Sequence, residues 1–316
     1  MTRVDRPTAL EVVDGFDLSG RVCLVTGATA GLGRESARAL ASAGAQVIAA
    51  GRDPRALEST IQWVRQEVPG ADVSSVVLDL ASLESVRDAA ESVSRRVDAI
   101  DVLINNAGVM FTPFGRTSDG FELQMGTNHL GHFELTRRLT PQLLRADGAR
   151  VVILSSGGHV MGDVDLGDPS WETRPYDKFM AYGASKTANI LFMVELDRRL
   201  RDYGVRAYSV NPGAVATSLA RHMSRADFSA LKGYAAASTA AKGNPTDGML
   251  DFTMPEQGAA TQVWAAVTPE LEGRGALYLE ECRVSDEVQP YALDGARARE
   301  LWALSERLCG VPVRPA

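Results

Sequence analysis

Short apolar runs alternate with longer amphipathic stretches along most of the chain, and this alternation limits the fold more than any other feature. Arg21–Thr26 (RVCLVT), Gln46–Ala50, Val73–Leu80, Ile100–Asn105, Arg150–Leu154 and Val205–Val210 read as strands, with Ala276–Leu279 as a seventh. Between them Leu32–Ala43, Pro54–Val68, a stretch from the cap Ser82 to about Val97, and Ala181–Leu200 carry helical spacing. Strands with no polar face need cover on both sides, which predicts a parallel sheet between helical layers. Right-handed crossovers then give an α/β architecture: a Rossmann-type doubly wound parallel sheet, expected as a single domain over residues 19–316. Residues 1–18 read as an N-terminal extension. Residues 218–254, rich in Ala, Ser, Gly and Thr, read as an excursion from the domain.

Bulk properties exclude several classes. The 316 residues carry a net charge of −7, which disfavours nucleic acid and anionic lipid as partners. Cys23, Cys282 and Cys309 are too scattered for a disulfide framework or a metal-ligand spacing. No secretory signal and no membrane anchor are read in the sequence, so a cytoplasmic location is expected.

The first strand runs into Thr26-Gly27-Ala28-Thr29-Ala30-Gly31-Leu32-Gly33. A strand, a glycine turn and a helix start make an anion site, because backbone N–H groups and the helix dipole face the ligand. In the first unit of a βαβ run this predicts a dinucleotide, with Gly27, Thr29, Gly31, Leu32 and Gly33 as its cradle. At the end of strand two, Gly51 leaves room and Arg52 suits a 2′-phosphate. That favours NADP(H) over NAD(H). Asp53 reads as the cap of the next helix, ahead of Pro54. Arg34 stands near enough in sequence to assist. Tyr182 and Lys186 are four apart on one helix face, so the ammonium is expected to lower the phenol pKa and make Tyr182 an acid–base group. Ser155-Ser156 ends strand five, where open α/β sheets place ligands.

These motifs resemble the short-chain dehydrogenase/reductase family. The TGxxxGxG turn, Asn105-Asn106-Ala107-Gly108, Ser155-Ser156, Tyr182-Gly183-Ala184-Ser185-Lys186 and Asn211-Pro212-Gly213 occur in the family's order. Thr127–Phe133 (TNHLGHF), Ala188–Phe192 and Leu301–Ser305 are similar to the subgroup of retinol dehydrogenases, WW-domain oxidoreductases and protochlorophyllide reductases. The resemblance implies an oxidoreductase exchanging hydride between NADP(H) and a carbonyl or alcohol. It implies Ser156 rather than Ser155 as the hydroxyl that polarises the substrate oxygen, and Tyr182 as the proton donor. Lys186 is implied as a ribose ligand, and Asn128 as the holder of a water in the proton relay. For the cofactor it implies Asp79 and Leu80 near the adenine and Asn106, Ala107 and Gly108 alongside. Pro212, Gly213, Val215 and Thr217 are implied around the nicotinamide.

Asp79 as a plain helix cap is the alternative. Residues 218–254 correspond to the family's substrate lid, and a homodimer through the two long helices is implied. The segment between Ser156 and Tyr182 is longer than in most members, and either borders the pocket or covers an edge. Met110 and His159 are pocket candidates. His129 and His132 have a metal-like spacing without a third ligand, so no metal is expected. Trp63, Trp171, Trp264 and Trp302 read as packing groups. A C=C reductase or a nucleotide-sensing protein on the same fold would carry much the same residues.

Overall fold

The computed structural model describes residues 6–241 and 252–310, apart from the side chains of residues 234–241. In chain order the elements begin with α1 (Ala9–Val13), β1 (Val22–Thr26), α2 (Gly31–Ser42), β2 (Gln46–Gly51), α3 (Pro54–Glu67), β3 (Val73–Val77) and α4 (Leu83–Ser94). Then come β4 (Val102–Asn105), α5 (Leu123–Met125), α6 (Gly131–Leu143), β5 (Arg150–Leu154), α7 (Lys178–Leu200) and β6 (Arg206–Asn211). The last are α8 (Arg225–Ala241), α9 (Pro255–Gly258), α10 (Ala260–Val267), β7 (Leu277–Glu280), β8 (Arg283–Val284) and α11 (Gly295–Leu308).

The strands form one sheet in the order β3-β2-β1-β4-β5-β6-β7-β8, parallel from β3 to β7. Side chains alternate faces along each strand. Leu24, Ile48, Leu103 and Ile153 join one core, and Cys23, Val25, Val47, Ile104 and Val152 join the other. Each fully buried aliphatic chain contributes about 1.5–3 kcal/mol. The order reverses between β1 and β4, which opens a crevice at the carboxyl ends of these strands. Asp53 and Ser82 cap α3 and α4 as the sequence predicts.

Three departures have physical causes. β8 is antiparallel and closes a hairpin over Glu281 and Cys282, both at positive φ (49° and 53°). Neither residue is a usual choice for that conformation, so no turn signal marks it. Residues 78–80 prolong the apolar run of β3 but leave the sheet, and they line the crevice instead. Finally, the described part of the N-terminal extension, residues 6–18, is packed structure. Thr8 and Glu11 form a capping box, and Ala9 and Val13 are buried in the core that α2 and α10 share.

Between β5 and α7 the inserted segment opens with Gly157, Gly158, Val160 and Met161 in the crevice wall, and its later part is tied to its own side chains and to Glu122. The Asp168 carboxylate accepts from Glu172 N (2.6 Å), Thr173 N (3.1 Å) and Thr173 Oγ1 (2.9 Å). The Tyr176 hydroxyl donates to buried Glu122 at 3.0 Å. Neither Asp168 nor Tyr176 reaches the crevice wall. The excursion after β6 is pinned at its base by a parallel bridge, with Ala216 N to Thr253 O at 3.0 Å and Thr253 N to Ala214 O at 2.9 Å. Lys178 Nζ at the start of α7 pairs with Asp227 of α8 at 2.7 Å. Residues 242–251 of the expected lid lie outside the described residues. Among the described residues, no helix is long and apolar enough to cross a membrane.

α11 lies across α6 and α7, the pair to which the resemblance assigns a homodimer. Trp302 meets Phe133 (5.0 Å between ring centres) and Phe192 (5.9 Å). Three of the expected packing tryptophans also carry an arginine on the ring: Arg34 on Trp63 (3.8 Å), Arg174 on Trp171 (3.9 Å) and Arg199 on Trp302 (4.3 Å).

His129 and His132 sit in this packing, each tied to protein groups. His129 Nε2 meets Ser305 Oγ at 2.9 Å, and His132 bridges Thr26 Oγ1 (2.8 Å) and Asn128 O (2.9 Å). Burial pushes their pKa values down from 6.5 to about 3 and about 4, so the folded rings stay neutral. The unfolded chain therefore binds the extra protons as pH falls below about 6.5. The stability they confer is full above that pH and is lost progressively toward their folded values. Each histidine should cost up to about 1.4 kcal/mol per pH unit in this window. Urea denaturation near pH 7 and near pH 5 tests this, and equal stability at the two would contradict it.

Candidate active site

The crevice is a cavity of about 1110 Å³, larger than a typical small-ligand pocket. Of the residues predicted for cofactor and chemistry, Arg34 aside, all but Gly33 and Asn128 line it. Those two stand just behind the wall, for different reasons. A Cβ on Gly33 would collide with Gly27 O and lie 2.5 Å from Asn106 Nδ2, so glycine is needed to close the turn. Asn128 is buried in a π turn (Gly126–Leu130) between α5 and α6.

The glycine turn is stitched to the end of β4. Thr26 Oγ1 accepts from Asn106 N (2.9 Å) and Ala107 N (3.0 Å), and Asn106 Nδ2 donates to Thr26 O (2.7 Å). With two N–H groups donating to Thr26 Oγ1, its own proton goes to His132 Nε2, so Nδ1–H of His132 donates to Asn128 O. Gly27 and Gly31 have φ of +66° and +54°, and a Cβ on Gly27 would lie 2.8 Å from Ala107 Cα. α3, α4, α7 and α11 have side-chain caps from Asp53, Ser82, Asp177 and Asp294. α2 has none: its N-cap is Ala30, and its first turn holds no acid. Its leading N–H groups face the cleft uncapped, in a cradle with no room for Cβ atoms. This donor set fits a dinucleotide diphosphate.

At the end of β2, Arg52 is exposed and has no partner among the described residues. Asp53 is turned to its cap, with Arg55 N at 2.9 Å, and does not oppose it. Arg34, expected to assist, is stacked on Trp63 and is not in the cleft wall. Asp79 lines the cleft and accepts from Ala81 N (2.9 Å). The cap of α4 is Ser82, so the reading of Asp79 as that cap is set aside.

The two serines separate cleanly. Ser155 is buried and its Oγ donates to Lys186 O at 3.0 Å, a bond that ties strand to helix. Both serines line the cleft, but the Ser156 hydroxyl is the one that hydrogen-bonds with Tyr182. Gly158 stands between Ser156 and the Tyr182 ring: a Cβ there would lie 2.9 Å from Tyr182 Cε1 and 3.2 Å from Ser156 Oγ. The sequence reading missed this residue, and its only signal was a second glycine after the serine. Asn211 is a second node. Its Oδ1 accepts from Gly157 N (2.9 Å) and Gly213 N (3.1 Å), which joins the serine loop to Pro212-Gly213.

The Tyr182 pKa runs opposite to expectation. Burial pushes the phenol up to about 12, with the Ser156 hydroxyl pulling the other way. The Lys186 nitrogen lies 5.7 Å from the ring centre and donates to Leu154 O at 3.1 Å. Burial also lowers the Lys186 pKa to about 8. Desolvation is the largest influence on both groups, and it favours the neutral O–H of Tyr182.

Asn128 does not offer a free amide. Its Oδ1 accepts from Val109 N (2.8 Å), and its Nδ2 donates to Val109 O (2.9 Å) and Ser185 Oγ (2.9 Å). It fixes the strand-four loop against α7. Met110 lines the cleft, but His159 does not. His159 is buried with Nδ1 2.8 Å from Ser156 O, and its Nε2 accepts from Gln289 N at 3.1 Å. It positions the serine loop instead. The cleft wall also carries the apolar side chains of Phe111, Val160, Met161, Leu219, Phe228 and Phe252, with Phe111 against the Tyr182 ring.

Comparison with known proteins agrees with this geometry. The family model for short chain dehydrogenases matches residues 21–227. Human retinol dehydrogenase 13 is 38% identical over 294 residues, covering 93% of this chain and 86% of that protein. The crystal structure of an uncharacterized protein from Mycobacterium paratuberculosis has a TM-score of 0.74 and 34% identity, over 96% of this chain and 98% of that one. The NADP active-site complex of RhlG from Pseudomonas aeruginosa has a TM-score of 0.64 and 25% identity, over 84% and 96% of the two chains. The chain belongs to the short-chain dehydrogenase/reductase family of oxidoreductases, in its retinol dehydrogenase-like subgroup.

Proposed function

We propose that the protein transfers hydride between NADP(H) and an apolar ketone, aldehyde or alcohol. The observation that carries this is the meeting of Ser156 and Tyr182 across Gly158, in the same cleft as the uncapped first turn of α2. When bound, the nicotinamide supplies or accepts the hydride. Gly27, Thr29, Gly31 and Leu32 hold the diphosphate against the helix N-terminus. Asp79 and Leu80 would flank the adenine, and Asn106, Ala107 and Gly108 would line the nucleotide's path. Pro212, Gly213, Val215 and Thr217 hold the nicotinamide end, with Lys186 on the ribose.

In the reductive direction the Ser156 hydroxyl donates to the substrate oxygen as negative charge develops there. The neutral Tyr182 O–H gives it the proton, and Lys186 restores the phenol through water. Asn128 is assigned to positioning the loop beside Lys186, because Val109 and Ser185 take three of the four hydrogen-bonding positions of its amide. The apolar wall supports a hydrophobic substrate, in keeping with the name of the retinol dehydrogenase relative.

Arg52 is assigned to the 2′-phosphate, and the NADP complex of RhlG supports this choice. A charge-assisted contact of this kind is worth about 1.5–3 kcal/mol. Arg52→Ala should therefore lower kcat/KM with NADPH about 10- to 100-fold and leave NADH nearly unchanged. Comparable efficiency of the unaltered enzyme with the two cofactors in a steady-state assay would overturn the assignment.

A further inference from the structure

The N-terminal segment brings a cation to the cleft. Arg6 is part of the cleft wall, as are Gly27, Gly31 and Leu32. It is held from two sides. Gln257 Nε2 of α9 donates to its carbonyl at 3.2 Å, and its guanidinium pairs with Glu281 at 3.0 Å. α9 borders the glycine turn. It packs on α2, and a Cβ on Gly258 would come within 2.6 Å of Val215 Cγ2. Two residues further on, Thr217 abuts Gly31, with Cγ2 3.2 Å from a Cβ placed there. α9, which holds the Arg6 carbonyl, thus also stands beside the residues that frame the uncapped first turn of α2. α1 makes the support firm, because its buried Ala9 and Val13 fix the segment that carries Arg6.

We propose that Arg6 is a ligand of the dinucleotide diphosphate, facing it across the cleft from the N–H groups of α2. The inference rests on the nucleotide reading given above. A guanidinium offers five N–H donors in a planar fork, so it can hold a carboxylate and a phosphate oxygen together. The Arg6–Glu281 pair is partly exposed, at 31% and 45%, and pairs of this kind are weak. Glu281 therefore orients the guanidinium while leaving a phosphate able to compete for it. Arg52 follows β2, whereas Arg6 is held by α9 and the β7–β8 turn, so the two arginines should read different phosphates.

Calorimetric titration with NADPH, NADH and ADP-ribose tests this. ADP-ribose carries the diphosphate without the nicotinamide. Arg6→Ala should weaken all three by a similar factor of about 10. Arg6→Lys should recover part of the loss. Glu281→Gln removes the competing carboxylate and should tighten all three. Unchanged binding by Arg6→Ala overturns the proposal, as does a loss confined to NADPH, which would move Arg6 to the 2′-phosphate. If the unaltered protein binds none of the three, the nucleotide reading fails and the proposal fails with it.

Discussion

Tyr182→Phe is expected to lower turnover ~10²–10⁴-fold while NADPH affinity stays close to that of the unaltered enzyme. The substitution removes only the hydroxyl. The ring keeps its edge contact with Phe111, at 5.0 Å between centres, and its seat beneath Gly158. Lys186 keeps its bond to Leu154 O, because that bond does not pass through the phenol. Steady-state turnover with a panel of carbonyl compounds, together with a fluorescence titration of NADPH, separates chemistry from binding. A variant with near-normal turnover would remove Tyr182 from the proton step. The elevated phenol pKa sharpens the expectation, since a tyrosine held neutral by burial suits proton donation better than proton abstraction.

Gly158→Ala is the second substitution with a large expected effect. A methyl there comes within 2.9 Å of the Tyr182 ring and 3.2 Å of Ser156 Oγ, so one of the two must shift. Phe111 packs against the ring and limits its retreat. Misplacing a reacting group by about 1 Å can cost ~10²-fold in rate. The expectation is a kcat lowered about 10- to 100-fold, with nucleotide binding intact. Gly157→Ala is the matched control. Its Cβ would meet Asn211 Nδ2 at 3.4 Å, an ordinary contact, and activity should hold. Equal effects of the two alanines would show that the loop, not the Ser156–Tyr182 gap, is sensitive.

The sheet was legible because its strands are unbroken apolar runs, and the glycine turn was legible because it follows the first of them. Other features depend on distance in space. β8 hides behind a turn of Glu281 and Cys282, whose positive φ values have no sequence signal. α1 is five residues long, too short to show a period, and only its capping box and burial reveal it. The four-residue spacing of Tyr182 and Lys186 placed them on one face, but it could not show that Lys186 turns to Leu154 O or that burial would dominate the phenol. Ser155 and Ser156 are adjacent and chemically alike. Only their bonds, Ser155 to Lys186 O and Ser156 to Tyr182, tell them apart. Gly158 and Arg6 gain meaning from neighbours far along the chain.

The central claim is hydride transfer to a carbonyl carbon beside Ser156 and Tyr182. The most direct measurement uses NADPH fully deuterated at C4 of the nicotinamide, with apolar aldehydes, ketones and enones as acceptors and mass spectrometry of the products. One deuterium is expected on the carbinol carbon, with loss of the labelled product in Tyr182→Phe. Deuterium on the β-carbon of an enone would make the protein a C=C reductase. NADPH binding without label transfer to any acceptor would contradict the account.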